Sequence, residues 1–395
     1  MLTATVFVSL LIFSELPVDV AKLDGGRLSG QLQSLTPSEL VVLVEGERLA
    51  IPADELQEVR PSVNPAATAL ITNHAELGVM LRDGSLLLPG EFSASSREAT
   101  LVHPRWGELR LPKGAVANVR LSRTDQNLNA AWNALLEREP RNDLVIVRKG
   151  DALDHVEGVV GTINSDSVSL LLDGQAIPIP RSRVFGVIYA AGGAQTAKPL
   201  CRFDLADGQQ LVAQSARFEG DGFTVAMASD GEVNIAAADV RRIDFSLGKI
   251  RALADMEPAA VDYPPGLLPE LASVWKFRRG HNSHGEPLLL GGRSYDDGLW
   301  IHSGTTLRYR LGREYRRFRG QMGIDEDIGD CAPQVGVVFR GDGRVLQEVS
   351  VSRGDAVREL DLDVTDVREL EITVTSTDPD GICEHLDLVE ARLIK

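Results

Sequence analysis

Between positions 20 and 247 one pattern recurs four times, and it limits the fold more than any single motif does. Each copy runs as a short apolar strand, a turn built on Asp and Gly or on Gly and Asp, a second strand and a polar turn. A third strand, another glycine turn and a strand ending on Pro or Ala follow, closed by a final Val-x-x-hydrophobic. The copies start at Val20 (VAKLDGGRLSG), Val79 (VMLRDGSLLLPG), Val145 (VIVRKGDALDHVEG) and Cys201 (CRFDLADGQQLVAQ). Self-similarity of this kind marks a repeat architecture, here about five strands in roughly forty residues. Stretches such as LVVLV and VSLLL alternate with period two, and the Asp-Gly pairs between strands are hairpin signals. The 37 glycines and 19 prolines among 395 residues fit a chain made of tight turns. Five short, bent strands close most readily into a small barrel, because closure removes the open edges of a flat sheet. The expected class is all-β, with barrel repeats at 16–61, 75–122, 143–190 and 199–247. A single helix is expected at 126–140, QNLNAAWNALLEREP, bridging the second and third repeats. Its apolar stripe is Leu128, Trp132, Leu135 and Leu136, with Trp132 read as core and Pro140 as the stop.

The repeats resemble small SH3-like or Sm-like barrels, but no residues match an RNA-binding set. A formal net charge of −16 also argues against nucleic acid, because affinity for a phosphate backbone rests on Lys and Arg neutralising it. The repeats contain no nucleophile, carboxylate pair or metal-ligand spacing, so they read as scaffold or interaction modules. Residues 2–13, LTATVFVSLLIF, are apolar but shorter than the roughly 20 residues a membrane helix needs. Residues 1–15 are expected to be a secretory signal or anchor, with an N-terminal strand as the alternative. The first reading places the protein outside the cytoplasm, either secreted or in the periplasm or cell envelope.

The alternation fades over 248–263, and Tyr263-Pro-Pro-Gly266 reads as the break before a last domain at 264–395. There TLRYRLG puts Leu307, Tyr309 and Leu311 on one face, and RFRGQMGI does the same with Phe318, Met322 and Ile324. QVGVVFR, RVLQEVSV, RELDLDV, LEITVTST and LDLVEARLI follow, so two packed antiparallel sheets of jelly-roll type are expected. Six arginines between 308 and 319 suggest a patch for an acidic ligand. Glu359, Asp361, Asp363, Glu371 and Asp387 also point outward, which favours cross-strand ion pairs instead. Of the three cysteines, Cys331 and Cys383 can pair in an oxidising compartment, leaving Cys201.

The runs DDGLWIHSGTTLRYRLG, RFRGQMGIDED and EHLDLVEARL, in this order, resemble the NPCBM domain, a family of carbohydrate-binding modules. The resemblance spans 264–395 and implies a galactose-binding-like jelly-roll β-sandwich. Gly298, His302 and Ser303 match its first motif, Gly323, Asp325 and Glu326 its second, and His385 and Asp387 its last. His302, Ser303, Asp325, Glu326, His385 and Asp387 are therefore the candidate ligand-binding residues. Two departures stand out: Glu384 replaces the usual Asp, and Leu388 replaces a Trp that would stack on a sugar. The resemblance implies a glycan partner, with galactose-containing glycans among the candidates, and a structural calcium as the one cofactor to consider. Oxygen ligands for that ion would come from DEDIGD at 325–330 and TDPDG at 377–381. The loop HNSHG, with His281 and His284, offers two histidines without a third metal ligand.

For His302 and His385 three roles compete: internal ties between loops, contacts to a glycan, and catalysis. The expected function is a non-catalytic carbohydrate-binding protein, its sandwich displayed on the repeats. One alternative is an envelope scaffold that binds other envelope proteins. The other is a glycoside hydrolase drawing two carboxylates from Asp325, Asp327, Glu384 and Asp387.

Overall fold

The computed structural model describes residues 16–62, 77–123, 126–138, 140–172, 174–192, 197–263, 274–376 and 383–395. Among the described residues the chain is nearly all β, with one α-helix of several turns and a few 3₁₀ turns, and it divides into two compact regions, Met1–Leu247 and Gly248–Lys395. The signal reading at 1–15 and the turn 377–381 lie outside the described residues.

In the N-terminal region the same strand order is laid down four times. The first unit consists of Leu16–Lys22, Arg27–Leu35, Glu39–Val44, Glu47–Pro52 and Leu56–Pro61. The first four strands form an antiparallel meander, and the fifth returns to pair with the first. The third unit (Asp143–Lys149 to Val184–Ile188) and the fourth (Cys201–Leu205 to Val240–Asp244) repeat this order. The second unit differs in one respect: its second strand is broken into Leu86–Leu87 and Glu91–Ala94.

The units were expected as separate barrels, yet they are hydrogen-bonded into one sheet of 21 strands. The fifth strand of the first unit pairs with the fifth of the fourth, and the second and third units pair likewise. A single apolar core, from Leu16 to Phe245, draws residues from all four. The helix runs over Gln126–Leu136, ending before position 140. Its Leu128, Trp132 and Leu135 pack on Leu144, Ile146, Phe185 and Ile188, all from the third unit.

The C-terminal region is a two-sheet sandwich. One sheet has the order Arg278–Arg279, Gly298–His302, His385–Ile394, Arg317–Ile324, Arg358–Asp363. Facing it are Ala260–Asp262, Thr306–Arg310, Glu369–Ser376, Gln334–Gly341 and Arg344–Ser352. Leu307, Tyr309, Leu311, Phe318, Met322 and Ile324 all enter the core between them.

This region begins before position 264. Ile250–Ala252 pairs with the end of the His385–Ile394 strand, Ala260–Asp262 adds to the Thr306–Arg310 strand, and Leu253 is fully buried in the core. These strands are only three residues long, too short for alternation to reveal them.

Outside, the arginines pair across strands. Arg308 Nε donates to Glu371 (2.9 Å), Arg319 to Asp361 (3.0 Å) and Arg340 to Glu371 (3.0 Å). Cys331 and Cys383 form a disulfide with Cα atoms 6.2 Å apart, and Cys201 is buried in the other region.

Candidate functional site

In a two-sheet sandwich the outer faces are normally left to solvent, but part of one is covered here. A hairpin of Leu288–Leu290 and Arg293–Tyr295 lies over the outer face of the sheet that contains Gly298–His302. Leu288 and Leu290 pack on Trp300 and Val389, which point away from the main core, while Leu299 and Ile301 point into it.

The hairpin approaches because two strand positions lack side chains. A Cβ on Gly323 would lie 2.4 Å from Leu290 Cδ1, and one on Gly298 would lie 2.9 Å from Leu288 Cδ1 and 2.9 Å from the Leu388 carbonyl. These are the two motif glycines.

Under and beside this cover the candidate residues converge. His302 and His385 are directly opposite each other across the strand pair, with ring centroids 5.2 Å apart. Trp300 and Asp387 are likewise opposite, and Asp387 is also opposite Gly323. His302 ends its strand, and its ring stacks on Trp275 (4.2 Å between centroids, 14° between planes). Its Nδ1–H donates to the Ser303 carbonyl (2.9 Å). Trp300 Nε1–H donates to Asp325 Oδ2 (3.0 Å), and the Asp327 N–H to Asp325 Oδ1 (3.0 Å). Trp275, Trp300 and the covering hairpin were not singled out in the sequence. The run LLLGGRSY, three leucines before a Gly-Gly turn, was the available signal.

Burial separates the six candidates. His302 and Ser303 are 2% and 3% exposed and Asp387 is 0% exposed, so they shape the site from beneath the surface. Asp387 was expected at the surface; it does point away from the inter-sheet core, but the hairpin seals it over. Burial and the nearby Asp325 push its carboxyl well above the usual carboxylate range, with the Leu289 N–H as a weak opposing influence. Neither of its oxygens makes a hydrogen bond of good geometry. Asp325 is raised too, chiefly by burial. Desolvation, then the neighbouring His302 and His284, lowers His385 to about 4.

Asp325 is as buried as His302 and Ser303, at 1% exposed, whereas Glu326 is exposed; the two line a cleft of about 310 Å³, facing Ser352, Arg353 and Asp355 across it. The exposed Glu326 carboxylate accepts the Gly292 N–H (3.2 Å), fixing the hairpin turn at the edge of the cleft.

Of the two turns considered for calcium only 325–330 is described, and its carboxylates are largely engaged. Both Asp325 oxygens already accept N–H donors, and Asp327 Oδ2 is taken by Asn282 (2.9 Å) and His284 (3.3 Å). Six to eight free oxygens would be needed. Among the described residues no group of three His, Cys, Asp or Glu side chains is placed to hold a metal. Asn282 is 2% exposed and its Oδ1 accepts the His284 and Glu286 N–H groups, which organises the histidine loop.

Glu384 is fully buried. So is Leu388, inside the main core, so a Trp there would face the core and not a sugar. The Leu388 departure removes no aromatic from the surface.

No curated protein matches the chain. Among solved structures, CBM51 from Clostridium perfringens GH95, in complex with methyl-galactose, is 16% identical. It matches over 36% of this chain and 99% of its own length with a TM-score of 0.32. CBM51-2 with the INT domains of Clostridium perfringens ZmpB, in complex with GlcNAc, is also 16% identical, over 58% of this chain and 43% of that one, with a TM-score of 0.32. The tandem CBM51 modules of a family 98 glycoside hydrolase from Streptococcus pneumoniae are 11% identical, over 84% and 91%, with a TM-score of 0.31. Likenesses this remote assign no role to any residue. Residues 269–394, less than half of the chain, match the NPCBM/NEW2 domain family.

Proposed function

We propose that the C-terminal region binds a glycan without acting on it, in the cleft between the Gly323–Glu326 segment and the Ser352–Val357 turn. The observation that carries this reading is the composition of the cleft. The exposed Glu326 carboxylate, the Ser352 hydroxyl and the Arg353 guanidinium border about 310 Å³, with the buried Asp325 carboxylate, held by Trp300, forming part of its wall. Sugar hydroxyls both donate and accept, so a site mixing acceptors with a donor suits them. The NPCBM/NEW2 match over 269–394 points the same way.

Catalysis finds little support. Glu384 and Asp387 are sealed from solvent, and Asp327 is tied to Asn282 and His284. The four carboxylates thus give no pair placed to flank a glycosidic bond. The Cys331–Cys383 disulfide supports export or an envelope location, and the N-terminal units would then display the sandwich.

Titration of the full chain against galactose-containing oligosaccharides, beside thermal melts, tests the reading. Glu326→Ala and Arg353→Ala should each weaken binding by about 10- to 100-fold, the loss of one hydrogen bond to a charged group, beyond any fall in melting temperature from their bonds to the Gly292 N–H and the Cys331 carbonyl. No binding across a broad glycan array would overturn the proposal, as would affinities indifferent to both changes.

A further inference from the structure

Of the six arginines between 308 and 319, three are engaged in ion pairs across the strands: Arg308 with Asp262 and Glu371, and Arg317 and Arg319 with Asp361. Among the described residues Arg310 and Arg313 form no ion pair. With Arg368 they line an open cleft of about 760 Å³, completed by Gly312, Asp342 and Glu369. The chain turns after His302, runs away from it through Thr306–Arg310, turns again at Gly312 and returns through Arg317–Ile324 to Asp325. The cleft therefore lies at the end of the sandwich opposite to His302 and Asp325.

Three turns meet at this cleft and are tied by their backbones. The Arg368 carbonyl accepts the Leu311 and Gly312 N–H groups (2.7 and 3.2 Å), the Val367 carbonyl accepts the Arg313 N–H (3.1 Å), and the Glu369 carbonyl accepts the Asp342 N–H (3.0 Å). The Asp342 carboxylate is engaged in return, accepting the Arg368 N–H (3.2 Å) and the Glu369 N–H (3.0 Å). Glu369 lies directly opposite Arg310 in the strand pair, yet among the described residues its carboxylate forms no ion pair.

Arg313 stands where the backbone favours another residue. In the tight turn Leu311–Glu314 the two central residues, Gly312 and Arg313, both have positive φ (63° and 65°), and the Glu314 N–H closes the turn on the Leu311 carbonyl (3.2 Å). Glycine and asparagine adopt this conformation readily, arginine only with strain. Apart from its attraction to Asp342, the exposed Arg313 side chain joins no ion pair and no apolar cluster among the described residues. The fold alone gives little reason for an arginine there.

We propose that this cleft binds a hexuronate unit of an acidic glycan, at a site separate from the cleft beside Glu326 and independent of it. Arg310, Arg313 and Arg368 present planar donor forks of the kind that take a carboxylate in bidentate fashion, and the Glu369 carboxylate accepts from ring hydroxyls. Densely repeated negative charge, as on a sulfated chain or a nucleic acid, would meet Asp342 and Glu369 in the same cleft and a chain of net charge −16. A uronate on a neutral chain carries one carboxylate among several hydroxyls, which matches the mixture of guanidinium and carboxylate groups. The volume falls within the range of small-molecule sites.

Calorimetric titration of the full chain at pH 7 tests this with xylotriose capped by glucuronate or by galacturonate, each beside the same sugar with its carboxylate reduced to a hydroxymethyl group. Wild-type protein should bind an acidic probe about 10- to 100-fold more tightly than its reduced form, the difference that hydrogen bonds to a charged group make. Arg313→Asn, which suits the left-handed turn, and Arg368→Gln, which keeps the backbone bonds, should each lower that affinity by a similar factor with no fall in melting temperature. Glu326→Ala should leave it as in the wild type. No binding of either acidic probe overturns the proposal, as does equal affinity for acidic and reduced forms or affinity that survives both arginine variants. Binding lost in Glu326→Ala alone moves the acidic sugar to the other cleft and overturns the separate site. Tighter binding of dextran sulfate that disappears with added salt overturns the uronate class.

Discussion

Asp387 and His385 are two residues apart on one strand face, and burial moves their ionisation in opposite senses. The folded state raises the Asp387 pKa above its ordinary 3.8, so this group favours folding only when protonated. Its contribution is lost as pH rises from about 3.8 through the folded value. Asp387→Asn, which keeps the shape without the charge, should raise the melting temperature at pH 7, with the gain shrinking as pH is lowered towards 4. His385 behaves conversely. Its pKa falls from 6.5 to about 4, so stability is full above pH 6.5 and is lost as pH falls between those values, by on the order of 3 kcal/mol. His385→Phe should remove that part of the acid sensitivity, measured as the difference in melting temperature between pH 7 and pH 4.5. The motif positions of these residues were legible in the sequence. Their burial was not, because period-two alternation shows which sheet face a side chain takes and does not show whether another segment lies on that face.

Short elements decide what the long strands alone do not. The Leu288–Tyr295 hairpin turns a solvent-facing sheet surface into a second small core, and the one-turn segment at Leu253 closes the bottom of the main one. Leu253 is fully buried, so Leu253→Ala should cost about 2–5 kcal/mol, measured by denaturant unfolding of the C-terminal region. The disulfide is a comparable tie, joining the loop after Arg317–Ile324 to the start of His385–Ile394. Replacing both cysteines by serine should cost about 2–5 kcal/mol, with the cleft residues affected only through the loop that Cys331 anchors.

For the whole chain, repetition was the most legible property, since turn chemistry recurs where strand order recurs. What repetition did not reveal is that the four units share one core, because contacts between fifth strands use the same alternating apolar residues as contacts within a unit. The start of the C-terminal region was hidden for a related reason: Ile250–Ala252 and Ala260–Asp262 are held by pairing and not by their own pattern. Residues 248–395 produced alone should melt as a cooperative unit, whereas residues 264–395, deprived of Leu253 and both strands, should lose sharp near-ultraviolet circular dichroism.

Three of the four N-terminal units end their fourth strand on proline, at Pro52, Pro112 and Pro180, and among the described residues each of these strands pairs on one side only. A protein assembled almost wholly from β-strands runs a constant hazard of templating cross-β fibrils from any long, regular rim. The prolines act as gatekeepers, most heavily at QAIPIP, where alternate residues are proline beside two isoleucines. Pro178→Val would leave the folded state with the same burial while making this rim continuous, and thioflavin T fluorescence during prolonged shaking should rise in that variant well before it rises in the wild type.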